Sequence, residues 1–144
     1  MQQKQQRLPV ATRGRRLVEI TGEARKFLRA SGLALGQMTL FCRHTSASLL
    51  IQENADPSVL DDLQSFFDGI APEGRGIYSH DTEGPDDMPA HVRTMVTGVS
   101  LHVPVVAGAL ALGTWQGIYV AEHRARPHRR EIVLSFIGSR RAPE

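Results

Sequence analysis

The chain holds a single cysteine, Cys42, in 144 residues. No disulfide can form within it, and a zinc site built from several thiolates is excluded. Aromatic residues make up only 6%, and no known nucleic-acid-binding motif is present, which argues against stacking on single strands. Charge of one sign is also scarce: the formal net charge is +2, a weak field for a polyanion. No apolar run approaches the ~20 residues that span a bilayer. The opening Met1-Gln2-Gln3-Lys4-Gln5-Gln6-Arg7 lacks the apolar stretch of a secretory signal, so the expected location is the cytoplasm, without membrane contact. Repeats, low-complexity tracts and linkers are missing too. The length suits one core, so residues 1–144 read as one domain, with 1–14 as a polar, extended lead-in that can add an edge strand.

What is present is ordinary globular composition, 41% hydrophobic and 22% charged, arranged in alternating strand and helix patterns. Residues 16–20 alternate with period two and predict a strand. Thr21 can cap a helix running to about Ala30, and Gly32 ends it. Residues 38–42 and 47–52 have strand character and place His44 at a junction between strands. Asp56-Pro57 is a strong helix start, followed by Val59, Leu60, Leu63, Phe66 and Phe67 at helical spacing. Residues 69–89 form a long polar connection of the kind that often carries function. A helix over about 89–96, ended by Gly98, precedes three or four strands, at 99–106, 109–112, 115–122 and 131–137.

Six histidines matter chemically only if several converge, since imidazole is both a metal ligand and a proton carrier near neutral pH. His44, His80 and His91 are the candidates, each beside small or polar residues. None forms a His-x-x-x-His pair, so any shared site must be assembled from distant segments. On spacing alone, surface or hydrogen-bonded histidines remain the simpler reading. Glu53-Asn54-Ala55-Asp56-Pro57 sets two acids and an amide at a helix start, where they can meet a cation or an imidazole. Asp56 is first of all a helix cap, and a solvated turn accounts for Glu53 and Asn54. The segment 123–130 carries Arg124, Arg126, Arg129 and Arg130. It is either an anion site, joined by the hydroxyls of Thr45, Ser46 and Ser48, or a solvated hairpin loop. Gly113-Thr114-Trp115-Gln116-Gly117 reads as a tight turn, with Trp115 a core or subunit contact and Gln116 a strand surface residue. Cys42 reads as inert core.

Taken together, His44-Thr45-Ser46-Ala47-Ser48, Glu53-Asn54-Ala55-Asp56-Pro57, Tyr78-Ser79-His80-Asp81, Asp86-Asp87-Met88-Pro89-Ala90-His91, Gly113-Thr114-Trp115-Gln116 and Glu122-His123-Arg124 resemble the YjbQ-like family. Its members are also labelled secondary thiamine-phosphate synthase enzymes. The resemblance runs over roughly residues 16–138. It implies an α+β fold in which a curved, mixed and mostly antiparallel sheet packs against helices, and a homotrimer with sites near subunit boundaries. It also implies a divalent metal, zinc or magnesium, held by His44, His80 and His91. Glu53 and Glu122 then become candidate proton carriers, and Thr45, Ser46, Asn54, Arg124 and Arg130 candidate substrate-binding residues. The implied activity joins an aminopyrimidine methyl diphosphate to a thiazole phosphate with release of diphosphate. The expected function is thus a metal-binding enzyme acting on a phosphorylated or diphosphate small molecule. The alternative is a non-catalytic metabolite- or anion-binding trimer, and nucleic acid is the least favoured partner.

Overall fold

The computed structural model describes residues 1–140; positions 141–144, assigned above to the domain, lie outside the described residues. The chain runs β1 (Gln2–Thr12), β2 (Arg16–Glu19), α1 (Thr21–Ser31), β3 (Leu35–Cys42), β4 (Ala47–Glu53), α2 (Pro57–Ile70), α3 (Asp87–Thr97), β5 (Ser100–Val106), β6 (Ala109–Leu110), β7 (Gln116–Glu122) and β8 (His128–Ser139). This is the expected α+β architecture. Five strands pair in the order β1-β8-β3-β5-β6 and three in the order β2-β7-β4. Every strand pairing among the described residues is antiparallel, so the curled sheet has no parallel component there.

Alternation sets which faces are buried. Met38, Leu40 and Cys42 of β3 and Ile132, Leu134 and Phe136 of β8 point into one core, each at most 1% exposed. β7 lies between β2 and β4 and is buried from Gly117 to Glu122, contributing Ile118 and Val120 to the same cluster. α1 adds Ala24, Phe27 and Leu28 from the buried side of an amphipathic helix. No helix among the described residues is long and apolar enough to cross a membrane.

Local signals account for most boundaries. Asp56 accepts a hydrogen bond from Ser58 N at 2.9 Å, with Pro57 at the first helical position of α2, as its sequence predicts. Gly32 ends α1 in the left-handed region at φ 68. Thr21 does not cap α1: Ile20 holds the cap position without a side-chain bond, because the Thr21 hydroxyl is engaged by Glu19 Oε2 and Ile118 N instead. Three other departures bear on the site. The lead-in is a full edge strand, paired with β8 from Gln2 to Thr12. α3 begins at Asp87, two residues before the expected start at 89. β8 begins at His128, so Arg129 and Arg130 belong to a strand, and the arginine-rich connection shrinks to 123–127.

Candidate metal centre and adjoining cavity

Two of the connections between the sheets border the site. Residues 43–46 lead from β3 in the larger sheet to β4 in the smaller, and residues 123–127 lead from β7 back to β8. Their polar side chains lie next to one another. Arg130 Nε donates to Glu122 Oε1 at 2.7 Å, and its Nη2 donates to Glu122 Oε2, Ser46 Oγ and Ser46 O. Thr12 Oγ1 donates to Glu122 Oε1 and Arg124 N to Glu122 Oε2. Burial alone would raise the Glu122 carboxyl; the bonds from Arg130, Thr12 and the Arg124 amide outweigh it and hold the group below its usual range. Glu122 is therefore a buried, paired carboxylate with both oxygens occupied.

The same crossing fixes the start of α3. Arg124 is 8% exposed and donates from Nε to Asp86 Oδ2 at 3.1 Å, from Nη1 to Asp87 Oδ1 at 2.6 Å and from Nη2 to Glu83 O at 2.9 Å. Asp86 Oδ2 also accepts from Ala125 N at 2.8 Å. With Oδ1 taken by Arg124, Asp87 turns its other oxygen to two imidazoles: His80 Nε2 lies 2.8 Å and His91 Nε2 3.2 Å from Asp87 Oδ2. Glu83 Oε2 stands 3.2 Å from His80 Nε2. Ligand atoms of His80, Glu83, Asp87 and His91 all lie within 4.8 Å of one another.

The tautomer of His91 matters most here. Its Nδ1 lies 2.9 Å from Thr45 O, and a carbonyl only accepts, so Nδ1 carries a proton. In a neutral ring Nε2 then presents a lone pair to the Asp87 carboxylate. Two lone pairs facing each other at 3.2 Å require a proton or a cation between them. An imidazole oriented through its far nitrogen is the usual arrangement of a metal-ligating histidine. Hydrogen bonds to Asp87 and then to Glu83 raise the His80 pKa. Burial works to raise Asp87, but contacts with Glu83, His80, His91 and Arg124 prevail and lower it.

Beside this group opens a cavity of about 770 Å³, lined by His91 and Thr94 of α3 together with 41–46 and Arg130. His44 lines it as well. Its Nε2 accepts a hydrogen bond from Glu131 N at 2.8 Å, which places the proton of the neutral ring on Nδ1. Burial first, and the Arg130 charge second, push its pKa below the ordinary value.

The structure thus brings together His80 and His91 of the expected metal set and adds Glu83 and Asp87. His44 stands outside that group, though it lines the adjoining cavity. Thr45 contributes its carbonyl and Ser46 its hydroxyl and carbonyl, whereas Arg124 and Arg130 are fixed by carboxylates. Glu53 and Asn54 lie at the far end of β4; Glu53 pairs with Gln116 and Ala47 with Glu122, a separation of about 20 Å along a strand. Asn54 Nδ2 donates to Glu19 Oε2 there. Trp115 is 62% exposed, so it is not core, and Cys42 is buried with its thiol pushed up to about 11. A readable signal for Asp87 was its spacing from His91: four residues apart, two ligand types share one helix face.

Fold and site together define a small α+β protein of antiparallel sheets carrying a histidine and carboxylate group suited to a divalent cation. The chain belongs to the YjbQ-like family: the family described as UPF0047 protein YjbQ-like matches residues 6–139. A UPF0047 protein of Synechocystis is 50% identical over 136 residues, covering 94% of this chain and 92% of the relative. The UPF0047 protein YjbQ of Escherichia coli O157:H7 is 44% identical over 104 residues, 72% of this chain and 75% of its own. Among solved structures, a yjbq/upf0047 family protein of Clostridium acetobutylicum superposes with a TM-score of 0.84 at 34% identity, covering 91% of this chain and 98% of that one.

Proposed function

We propose that this chain binds one divalent cation through His80, Glu83, Asp87 and His91 and uses it to act on a phosphorylated or diphosphate small molecule. The observation that carries the reading is the pair of imidazole Nε2 atoms meeting a single Asp87 oxygen, with His91 oriented from behind by Thr45 O. Two imidazoles with carboxylates suit zinc better than magnesium, which prefers oxygen ligands and retained water. Bonds of about 2.0–2.2 Å to a tetrahedral ion space the ligand atoms about 3.3–3.6 Å apart, within reach of small side-chain rotations. A bound divalent ion supplies positive charge against a departing phosphate or diphosphate. Arg124 holds Asp87, and Arg130 with Glu122 holds the wall formed by Ser46.

The test is metal analysis of protein purified without a histidine tag, followed by titration with zinc and magnesium. The expected result is about one zinc per chain, lost in His80→Ala and His91→Ala. Protein that carries no metal and takes up neither ion sinks the proposal. The reaction named by the family resemblance, thiamine-phosphate formation, breaks the pyrimidine methylene C–O bond, forms a C–N bond to the thiazole and releases diphosphate. Product formation from the two substrates over a no-enzyme control tests it. Sedimentation of the pure protein tests the proposed homotrimer, and cell fractionation the proposed cytoplasmic location.

A second reading, a non-catalytic anion-binding protein, is favoured by a specific observation: neither expected proton carrier is free at the site. Glu122 is engaged on both oxygens, and Glu53 lies at the opposite end of β4. Saturable binding of a phosphorylated metabolite with no turnover at any pH supports this second reading over the first.

A further inference from the structure

The wall of the cavity beside the metal group contains an unused donor. Thr94 lies on α3 three residues after His91 and lines the cavity. It is 7% exposed, and its Oγ1 is buried without any hydrogen-bond partner. A buried hydroxyl left in this state is destabilising unless something else satisfies it. Two further donors border the same space from different elements. His44 is held neutral with its proton on Nδ1, since Nε2 accepts the Glu131 amide. Arg130 uses Nε and Nη2 for Glu122 and Ser46, and these bonds leave Nη1 over.

The formal charges of the lining are cationic, Arg43 and Arg130, each paired with a glutamate, Glu131 and Glu122, that is not itself among the lining residues. No described carboxylate lines the cavity. The remaining wall is apolar: Phe41 is 45% and Met95 76% exposed, with Val99 beside them. Exposed Met and Phe next to converging donors are the composition of a ligand site rather than of a solvated cleft.

We infer that this cavity binds a phosphate monoester carrying an apolar body, with the phosphate between Thr94 Oγ1, the His44 Nδ1–H and Arg130, and the body against Phe41, Met95 and Val99. Three donors arriving from α3, from the 43–46 crossing and from β8 suit a three-oxygen anion better than a flat carboxylate. The inference rests on the metal reading only in that His91 belongs to both sites; it places the metal at the phosphate end.

Phenyl phosphate, inorganic phosphate and benzoate serve as probes in calorimetric titrations of the zinc-loaded and the metal-free protein. Phenyl phosphate is expected to bind at least tenfold more tightly than either of the others. Met95→Ser narrows its advantage over inorganic phosphate. Thr94→Val weakens phenyl phosphate at least tenfold, leaves zinc affinity unchanged and keeps or raises the melting temperature, because it replaces an unsatisfied hydroxyl with a methyl group. A structural hydroxyl would give the opposite pattern: a lower melting temperature and unchanged phenyl phosphate binding. That result, or equal affinity for phenyl phosphate and inorganic phosphate, overturns the inference. Phenyl phosphate selectivity that survives without any zinc uptake upholds the cavity assignment while removing the metal reading; zinc uptake without selectivity does the reverse.

Discussion

His123 is 1% exposed, with Nε2 2.8 Å from Ser48 Oγ and the ring edge-on to Phe67 at 5.5 Å. Burial above all, and then the Arg93 charge, pushes its pKa down from 6.5 to about 4. The folded value is the lower one, so the fold favours the neutral ring. That contribution is fully present above about pH 6.5 and is lost as the pH falls through 6.5 toward 4. The interval is worth about 3 kcal/mol. The urea midpoint should therefore fall over this range, and His123→Phe should remove part of the slope. An NMR titration showing His123 protonated near pH 6.5 would contradict this account.

Arg124 belongs to the same scale. It meets Asp87 Oδ1 at 2.6 Å and so leaves Oδ2 for the imidazoles, acting on the metal group through another residue. Arg124→Met should weaken zinc binding by about 10–100-fold, the usual cost of losing an outer-shell partner. Calorimetry below the melting temperature of the variant checks it; unchanged affinity would mean that Asp87 needs no orienting.

At the scale of elements, local chemistry made much of the fold legible. The Asp56-Pro57 start of α2, the Gly32 end of α1 and the strand alternation around His44 all read correctly, because each depends on neighbours in sequence. What failed depends on contacts across the chain. α3 begins at Asp87 because Arg124 and Ala125 N engage Asp86 and Asp87, partners nearly forty positions away. β8 begins at His128 because β1 pairs with it to Thr12, so of the two arginines it takes from the loop Arg130 is buried while Arg129 stays exposed. A search for paired histidines passes over Asp87 and His91, since one of the two ligands is a carboxylate. Close strand contact is equally invisible in sequence: Gly36 of β3 has φ 152, and a Cβ there would strike the Ile137 carbonyl and Gly138 of β8. Gly36→Ala should cost more than about 2 kcal/mol, measured by urea unfolding. A loss well under 1 kcal/mol would show that β8 yields easily.

Over the whole molecule, the site lies where two of the chain's crossings between sheets meet, and each of the two supplies something the other cannot. The 43–46 crossing gives Thr45 O to His91 and His44 to the cavity; the 123–127 crossing gives Arg124 to Asp87. His80 and Glu83 come instead from the polar connection between α2 and α3, which is largely exposed. A cation held by all four residues would tie that connection to α3 and, through His91 and Asp87, to both crossings. Binding to the folded state alone stabilises it by about 2.7 kcal/mol at a free concentration of 100 times Kd. For a chain of this length that corresponds to a rise of about 5–10 °C in Tm. The rise should be accompanied by slower amide exchange across residues 78–84 and should vanish in Asp87→Asn. A Tm increase without added protection in 78–84 would locate the bound ion elsewhere and leave His80 and Glu83 as a surface ion pair.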